Sequence, residues 1–172
     1  MKKLFNLFPV LFFGFVMGIL PCSSTAQNTE KQEKENAKIE ALKKLVESRH
    51  FMFTATTATP MSGRTRQLTS TYTLTIMGDT VIADLPYYGR SYQASIGETD
   101  GGLNFKTTEF AYNLKDGTKG GWDITIMPKD NKYANTMLLS ISNSGYANLQ
   151  INSNIRQTIY FRGTVSDLTT SH

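Results

Sequence analysis

Residues 68–85 read LTSTYTLTIMGDTVIADL, and this stretch decides the fold class of the chain. From residue 68 to residue 76 a threonine alternates with a mostly apolar residue, which is the period of a strand with one dry face. Gly78-Asp79 then supplies the two residues of a tight hairpin turn, and residues 81–85 form a second strand. The stretch therefore predicts an antiparallel hairpin.

The same period continues on both sides of this hairpin. Further strands are predicted at residues 51–55, 103–105, 110–114, 122–127, 137–141, 146–151 and 158–165. The links between them are short and rich in Asp, Asn, Ser and Gly, which are turn residues. Short sequential links favour an antiparallel meander, and a twisted meander of eight or nine strands curls to protect its edges. We predict a mainly β domain over residues 49–168, forming a curved sheet or an open barrel, with a tail at 169–172.

One position in this pattern needs a local irregularity. The apolar face changes parity between Phe105 and Phe110. Because side chains alternate strictly between the two faces of a strand, such a change requires a bulge or a turn. We expect it near Thr107-Thr108.

A single helix is predicted before the strands, at residues 29–48. Thr29 can cap it, and Ile39, Leu42, Leu45 and Val46 return at helical spacing as one apolar stripe. Residues 30–36 offer no apolar partner for that stripe, so they form a frayed extension or a spacer. The predicted N-terminal unit of the mature chain is thus residues 27–48, a helix with a polar lead-in.

The first 26 residues have the three parts of a secretory signal peptide. Lys2-Lys3 gives a positive start, residues 4–20 are largely apolar, and Ser24-Thr25-Ala26 is a small-x-small exit before Gln27. We predict a mature chain that begins at Gln27 and is periplasmic or secreted. Loss of the two lysines lowers the formal charge from +4 to +2, and the remaining cations are scattered, so no nucleic-acid partner is expected.

Cys22 leaves a second localisation open. It is the only cysteine, and a lipidated Cys22 would anchor the protein to a membrane, although Pro21 just before it fits a lipoprotein signal poorly. A membrane partner is expected only in that case. If cleavage follows Ala26 instead, the mature chain has no disulfide, no thiolate nucleophile and no cysteine-bound metal.

The segment Leu85-Pro86-Tyr87-Tyr88-Gly89-Arg90 is the strongest candidate for a binding loop. Pro86 ends a strand because it cannot donate a ladder hydrogen bond, and Gly89 permits a sharp turn. The candidate ligand-binding residues are Tyr87, Tyr88, Arg90, Tyr92 and Asp84. Stacking rings and a planar guanidinium suit a sugar, an aromatic group or a carboxylate. The alternative is structural: the tyrosines cap one end of the sheet, and Arg90 stacks on them or pairs with Asp84.

At this block the chain resembles a bacterial family, the domain of unknown function 4251. The resemblance extends through Phe51-Met52-Phe53, Pro60, Gly63, Tyr72-Thr73-Leu74, Gly78-Asp79-Thr80-Val81, Gly101-Gly102 with Phe105, Gly120-Gly121-Trp122, Gly145-Tyr146-Ala147, and Arg156 with Phe161-Arg162-Gly163. It implies a small exported protein with a signal-peptide or lipoprotein start. It implies no activity.

Other polar residues give weaker signals for chemistry. His50 is the sole internal histidine on which a Ser-His-Asp triad could be built, and a two-carboxylate glycosidase would need Asp84 with a second acid such as Asp123. Glu98, Asp100 and Asp116 lie near glycines, but their spacing is not that of a calcium loop, and turn chemistry explains them. We predict no catalytic residues, no metal site and no cofactor.

Two further residues, Trp122 and Thr80, and one face of the last strand also give predictions. Trp122 shares a register with Ile124 and Ile126, which indicates a core position, whereas Tyr160 and Arg162 share the opposite, wet face of their strand. That wet face could meet a partner or an anionic ligand. Asp79-Thr80-Val81 resembles a bacterial O-glycosylation site, with Thr80 as acceptor.

These observations leave three functions in competition. The leading hypothesis is a noncatalytic cell-envelope protein that binds a small apolar or glycan ligand; an interior site would require a sheet whose core is not filled by its own side chains. The second is a protein-interaction module of the envelope. The third, least favoured, is a hydrolase, which requires titratable groups that converge in a cleft.

Overall fold

A computed structural model describes residues 25–92, 102–118 and 120–168. The elements in chain order are α1 (Thr25–Glu47), β1 (His50–Pro60), β2 (Arg66–Met77), β3 (Thr80–Leu85), β4 (Leu103–Thr107), β5 (Phe110–Asp116), β6 (Trp122–Pro128), β7 (Thr136–Ile141), β8 (Tyr146–Asn152) and β9 (Ile159–Ser166). The predicted fold class, a mainly β chain with an N-terminal helix, is confirmed. Within the part of the chain that the structure describes, no helix is both long and apolar enough to span a bilayer.

The nine strands form one antiparallel sheet in the order β4-β3-β2-β1-β9-β8-β7-β6-β5. Each strand runs against its neighbour, so the first and ninth strands of this order, β4 and β5, point the same way. These two edge strands are also consecutive in the chain and are separated only by Thr108-Glu109. They are therefore two segments of one interrupted strand, and the sheet curls into a nearly closed barrel-like shape, as the meander predicted.

The interruption between β4 and β5 resolves the parity change expected near Thr107-Thr108. The Thr107 hydroxyl donates to Asp130 Oδ1 at 2.7 Å and accepts the Glu109 N–H at 3.0 Å, while Lys129 N–H donates to the Glu109 carbonyl at 2.8 Å. These bonds hold the break in place. The Lys129–Glu109 bond continues the β5–β6 ladder beyond the pair Phe110 and Pro128.

The inner faces of the strands form one apolar core. Phe51, Phe53 and Phe161 are almost fully buried, and Trp122 is 6% exposed, so its predicted core position is confirmed. Tyr72, Phe105 and Phe110 are half-buried and pack against this core. Because the protein's own large side chains fill these positions, the interior gives no support to a ligand site inside the sheet.

Helix α1 uses only its second half for packing. Ile39, Leu42 and Leu45 are partly buried against the core, and Val46 is fully buried. Residues 30–38 are exposed, as their sequence predicts. The helix begins at Thr25 rather than at residue 29, so Thr29 lies inside it and is not the N-cap.

The end of α1 closes over β5. The Tyr112 hydroxyl of β5 donates to the Val46 carbonyl at 3.2 Å, and the Arg49 guanidinium lies 4.5 Å from the centroid of the Tyr112 ring. Arg49 itself has a positive φ of 54°, which turns the chain from the helix into β1. The C-terminal end of α1 thus covers the β5 edge of the sheet.

Candidate functional site

The predicted binding loop at residues 85–92, here called the tyrosine loop, is held against the chain segment that precedes β9. The Tyr87 hydroxyl lies 3.0 Å from the Arg90 carbonyl and 2.9 Å from the Gln157 carbonyl, and it can donate to one of them at a time. Backbone bonds from Gln157 N–H to Arg90 O (3.0 Å) and from Tyr92 N–H to Ile155 O (2.8 Å) add to this pairing. The loop therefore extends the sheet locally, up to Tyr92.

Arg156 lies at the centre of this arrangement, a role that sequence reasoning did not assign to it. Its side chain is 5% exposed, with the guanidinium 4.9 Å from the Tyr87 ring centroid and 4.3 Å from that of Tyr133. Its Nη1 donates to the Gly102 carbonyl at 3.0 Å. Burial raises the pKa of Tyr87, and the positive charge of Arg156 opposes that rise. These contacts make Tyr87 a structural residue at this end of the sheet.

The other predicted residues of the loop face solvent. Tyr88 is 37% exposed with the Arg66 guanidinium 4.8 Å from its ring centroid, and Tyr92 is 65% exposed. Arg90 and Asp84 are exposed, and among the described residues no salt bridge joins them. The cation that stacks on the exposed Tyr88 ring is thus Arg66, not Arg90.

The remaining predicted positions are dispersed. Asp84 pairs with Asn104 on β4, whereas Asp123 pairs with Lys115 on β5, roughly 30 Å further along the interrupted strand. A glycosidase pair requires carboxyl groups less than about 10 Å apart, so these two acids do not form one. His50 is exposed at the start of β1. Within the described ranges, no group of three or more His, Cys, Asp or Glu residues could hold a metal.

Of the two predicted modification sites, the structure describes Thr80 but not Cys22. Thr80 is the first residue of β3, directly after the Gly78-Asp79 turn, and its side chain is half-buried. Cys22 lies outside the described residues, as do Glu98 and Asp100. Glycosylation and lipidation stay predictions.

A cleft of about 630 Å³, here called the outer cleft, lies across the outer face of β6, β7, β8 and β9. The strand register arranges its floor in two parallel rows. The first, here called the Arg162 row, contains Asp123, Ser140, Asn148 and Arg162 as successive cross-strand partners. The second, the Tyr160 row, contains Thr125, Leu138, Gln150, Tyr160 and Thr59. With strands about 4.8 Å apart, the Tyr160 row is about 19 Å long.

The side chains that face this cleft are mainly polar. Ile124, Leu139, Leu149 and Phe161 also line it, but each is 1% exposed and points into the core, so they contribute only their backbones. Leu138 and Tyr160 are the exceptions on the outer face, 38% and 43% exposed. The cleft therefore offers hydroxyl and amide groups around one accessible aromatic ring.

Several of these groups are held by neighbours. Gln150 Nε2 donates to Asn152 Oδ1 at 3.0 Å, and the same oxygen accepts from the Thr158 hydroxyl at 3.0 Å. At the rim, the Thr59 and Thr65 hydroxyls lie 2.9 Å apart. Such contacts reduce the side-chain freedom that a ligand would otherwise have to restrict.

Sequence reasoning found one strand of this cleft and missed the others. The wet face of Tyr160 and Arg162 was predicted from the alternation of β9. The partners on β6, β7 and β8 depend on strand register, which no local pattern specifies when the outer residues are all polar or mixed. No signal in the sequence could have joined Asp123 to the same site.

A second cleft, of about 540 Å³, lies between the exposed first half of α1 and the turn that joins β7 to β8. Its walls are long charged side chains of both signs, among them Lys34, which pairs with Glu30 at 2.7 Å. Exposed pairs of this kind are mobile and weakly stabilising. This cleft is a less defined site than the outer face of the sheet.

Comparisons with known proteins agree on the family and the fold. A family model described as Domain of unknown function (DUF4251) matches residues 33–165. A crystal structure of a DUF4251 family protein from Bacteroides eggerthii, at 1.95 Å resolution, superposes with a TM-score of 0.57 and 14% sequence identity, covering 78% of this chain and 91% of that one. At this identity the likeness concerns the fold alone. A search of curated proteins found no match.

Proposed function

The chain belongs to the DUF4251 family, and from its own geometry we propose that it is a noncatalytic protein that binds a saccharide in the outer cleft. The observation that carries this proposal is the composition of the two rows: neutral hydroxyl and amide groups surround the exposed ring of Tyr160. Sugars present many hydroxyls and flat C–H faces, which match amides and an aromatic ring.

The same composition favours a ligand with both polar groups and apolar faces over a purely apolar one. A lipid or other apolar molecule needs walls of aliphatic and aromatic side chains, and in this cleft only Leu138 and Tyr160 supply them. The filled core removes the interior alternative as well. A saccharide lying along the rows would leave few of the polar groups without a partner.

The proposal is tested by titrating the mature protein with a panel of cello-, xylo-, malto-, chito- and galacturono-oligosaccharides, followed by NMR and calorimetry. Tyr160→Ala should weaken binding by about fivefold, because an aromatic stacking partner contributes about 1 kcal/mol. Tyr92→Ala is the matched control, since Tyr92 is more exposed and lies in the tyrosine loop.

The two variants distinguish the two candidate sites. Perturbed resonances confined to β6–β9 and loss of affinity only in Tyr160→Ala support the outer cleft. Loss of affinity only in Tyr92→Ala would transfer the function to the tyrosine loop. No binding by any member of the panel would reject the saccharide proposal.

We also propose that the protein acts outside the cytoplasm. The support is the N-terminal sequence: Lys2-Lys3, the apolar residues 4–20 and the Ser24-Thr25-Ala26 exit. Mass spectrometry of the protein purified from its native host should give a chain that begins at Gln27. A mass that begins at a lipidated Cys22 would instead establish the membrane-anchored form, and an intact Met1 would reject export.

A further inference from the structure

Arg162 is an exposed cation in the outer cleft with no neutralising partner in the described part of the chain. It makes no salt bridge there, and the two ion pairs found among the described residues are both on α1. Its cross-strand neighbours are Asn148 on β8 and Thr57 on β1. Along β9, the residues two positions away on the same face are Tyr160 and Thr164. All four neighbours are neutral.

The cleft's acidic residue does not balance this charge. Asp123 lies three strands away in the Arg162 row, about 14 Å from Arg162 by strand spacing. Its direct cross-strand partner is the cation Lys115 on β5, although the two side chains do not form an ion pair among the described residues. Opposite charges in such pairs attract each other across the ladder. The β9 end of the cleft is therefore positive, with Arg162 as the source.

Arg162 and Tyr160 are placed to act on the same part of a ligand. They are two residues apart on one face of β9, so their Cα atoms are about 6.7 Å apart. A ring that stacks on Tyr160 would bring its substituents within reach of the guanidinium. Arginine binds a carboxylate through two parallel N–H donors, which fixes the orientation of the group it binds.

We infer that the ligand of this cleft is an acidic saccharide, a uronic acid oligomer whose carboxylate binds Arg162 while its ring stacks on Tyr160. This inference rests on the proposed function and narrows its substrate class. A neutral saccharide would leave the guanidinium unused. It would also gain nothing from the positive charge at the β9 end of the cleft.

The test compares oligogalacturonides and oligoglucuronides with their methyl esters, which have the same ring and length but no charge. The acids should bind about tenfold more tightly than the esters, as expected for a hydrogen bond to a charged group. Arg162→Gln should abolish that difference, and Arg162→Lys should retain part of it because the charge remains but the planar fork is lost. Added salt should weaken the acids more than the esters.

Arg90→Gln serves as the control, because Arg90 is an exposed arginine in the tyrosine loop. An acid preference that persists in Arg162→Gln and disappears in Arg90→Gln would overturn the inference. Equal binding of acid and ester, still lost in Tyr160→Ala, would overturn it too while leaving the saccharide proposal intact. Absence of binding by every acid and ester would overturn the inference, and the neutral oligosaccharides of the panel would then decide the saccharide proposal.

Discussion

Arg156 joins three separate chain segments through one side chain. Its stacking on Tyr87 and Tyr133 and its bond to Gly102 are made in an almost fully buried position. We expect Arg156→Ala to lower the free energy of unfolding by about 3 kcal/mol, since two desolvated cation–π contacts and a charge-assisted hydrogen bond are lost. Urea denaturation measures this.

Two comparisons make that prediction specific. Arg156→Lys keeps the charge but not the flat guanidinium, so its stability should lie between that of the parent and that of the alanine variant. Arg64→Ala, at an exposed position in the β1–β2 turn, should change stability little. A parent-like urea midpoint for Arg156→Ala would show that the stack is incidental.

Gly163 is required by the close approach of β9 to β1. It pairs with Ala55 on one side and Ala147 on the other, and a Cβ at this position would overlap the Thr54 carbonyl oxygen. Gly163→Ala should therefore destabilise the fold by about 2 kcal/mol or more, because the backbone must move. Gly78→Ala meets no atom within 4 Å and should cost about 1 kcal/mol through its positive φ alone. Thermal unfolding of the two variants side by side checks the order, and equal melting temperatures would contradict it.

The role of a residue could be predicted from the sequence where it depends on local backbone chemistry. It could not be predicted where the residue's partners lie far away along the chain. A loop is predicted by local backbone chemistry at Pro86, Gly89 and the neighbouring tyrosines. Arg156 gains its meaning from Gly102, a residue 54 positions away in the chain. An isolated arginine before a strand has the same local pattern whether it is exposed or buried, so only the tertiary structure assigns it.

The helix has a packed half and an exposed half with different expected contributions to stability. Val46 is fully buried, and truncation of a buried aliphatic side chain leaves a cavity, so Val46→Ala should cost about 2 kcal/mol. Removal of residues 30–37 takes away exposed side chains only and should leave the urea midpoint almost unchanged. A large loss on deletion would mean that the first half of α1 packs on the sheet in solution.

The joint between α1 and β5 should be sensitive to alkaline pH. Burial raises the pKa of Tyr112 to about 12, and the nearby Arg49 charge only partly opposes this rise. In the unfolded chain a tyrosine ionises near pH 10, so above that pH the unfolded state loses a proton that the folded state keeps. The stability contributed by neutral Tyr112 is therefore complete below about pH 10 and is lost as the pH rises through about 12.

Tyr112→Phe separates this effect from general alkaline denaturation. The variant lacks the ionising hydroxyl and its bond to Val46, so it should be less stable at neutral pH but should lose less stability on going from about pH 8 to about pH 11. Urea unfolding at both pH values gives the two slopes. Identical slopes for parent and variant would show that Tyr112 is not the group responsible.

The sheet as a whole was predictable because most of its links are short, whereas the outer cleft was not. Alternation and turn residues identify the strands, and sequential pairing gives all neighbours except β1 with β9. That pairing follows once the meander curls, because the chain then has only its first and last strands left to join. The two rows of the cleft depend on the register of five strands at once, and a shift of two residues in any of them would keep every side chain on the same face while disassembling the rows.

The order of the strands also predicts where the sheet opens first. β1 and β9 lie in the middle of the sheet, whereas β4 and β5 each have one unpaired edge and meet only at Thr108-Glu109. In native-state hydrogen exchange, amides of β1 and β9 should exchange only through global unfolding, and those of β4 and β5 through smaller openings.

Asp130→Ala removes the acceptor of the Thr107 hydroxyl, so it should accelerate exchange in β4 and β5 and leave β1 and β9 at the global rate. Asp123→Ala, exposed on β6, is the matched control and should leave the pattern unchanged. If Asp130→Ala accelerated all strands equally, the interrupted strand would be part of the global unfolding unit and not the seam at which the sheet opens.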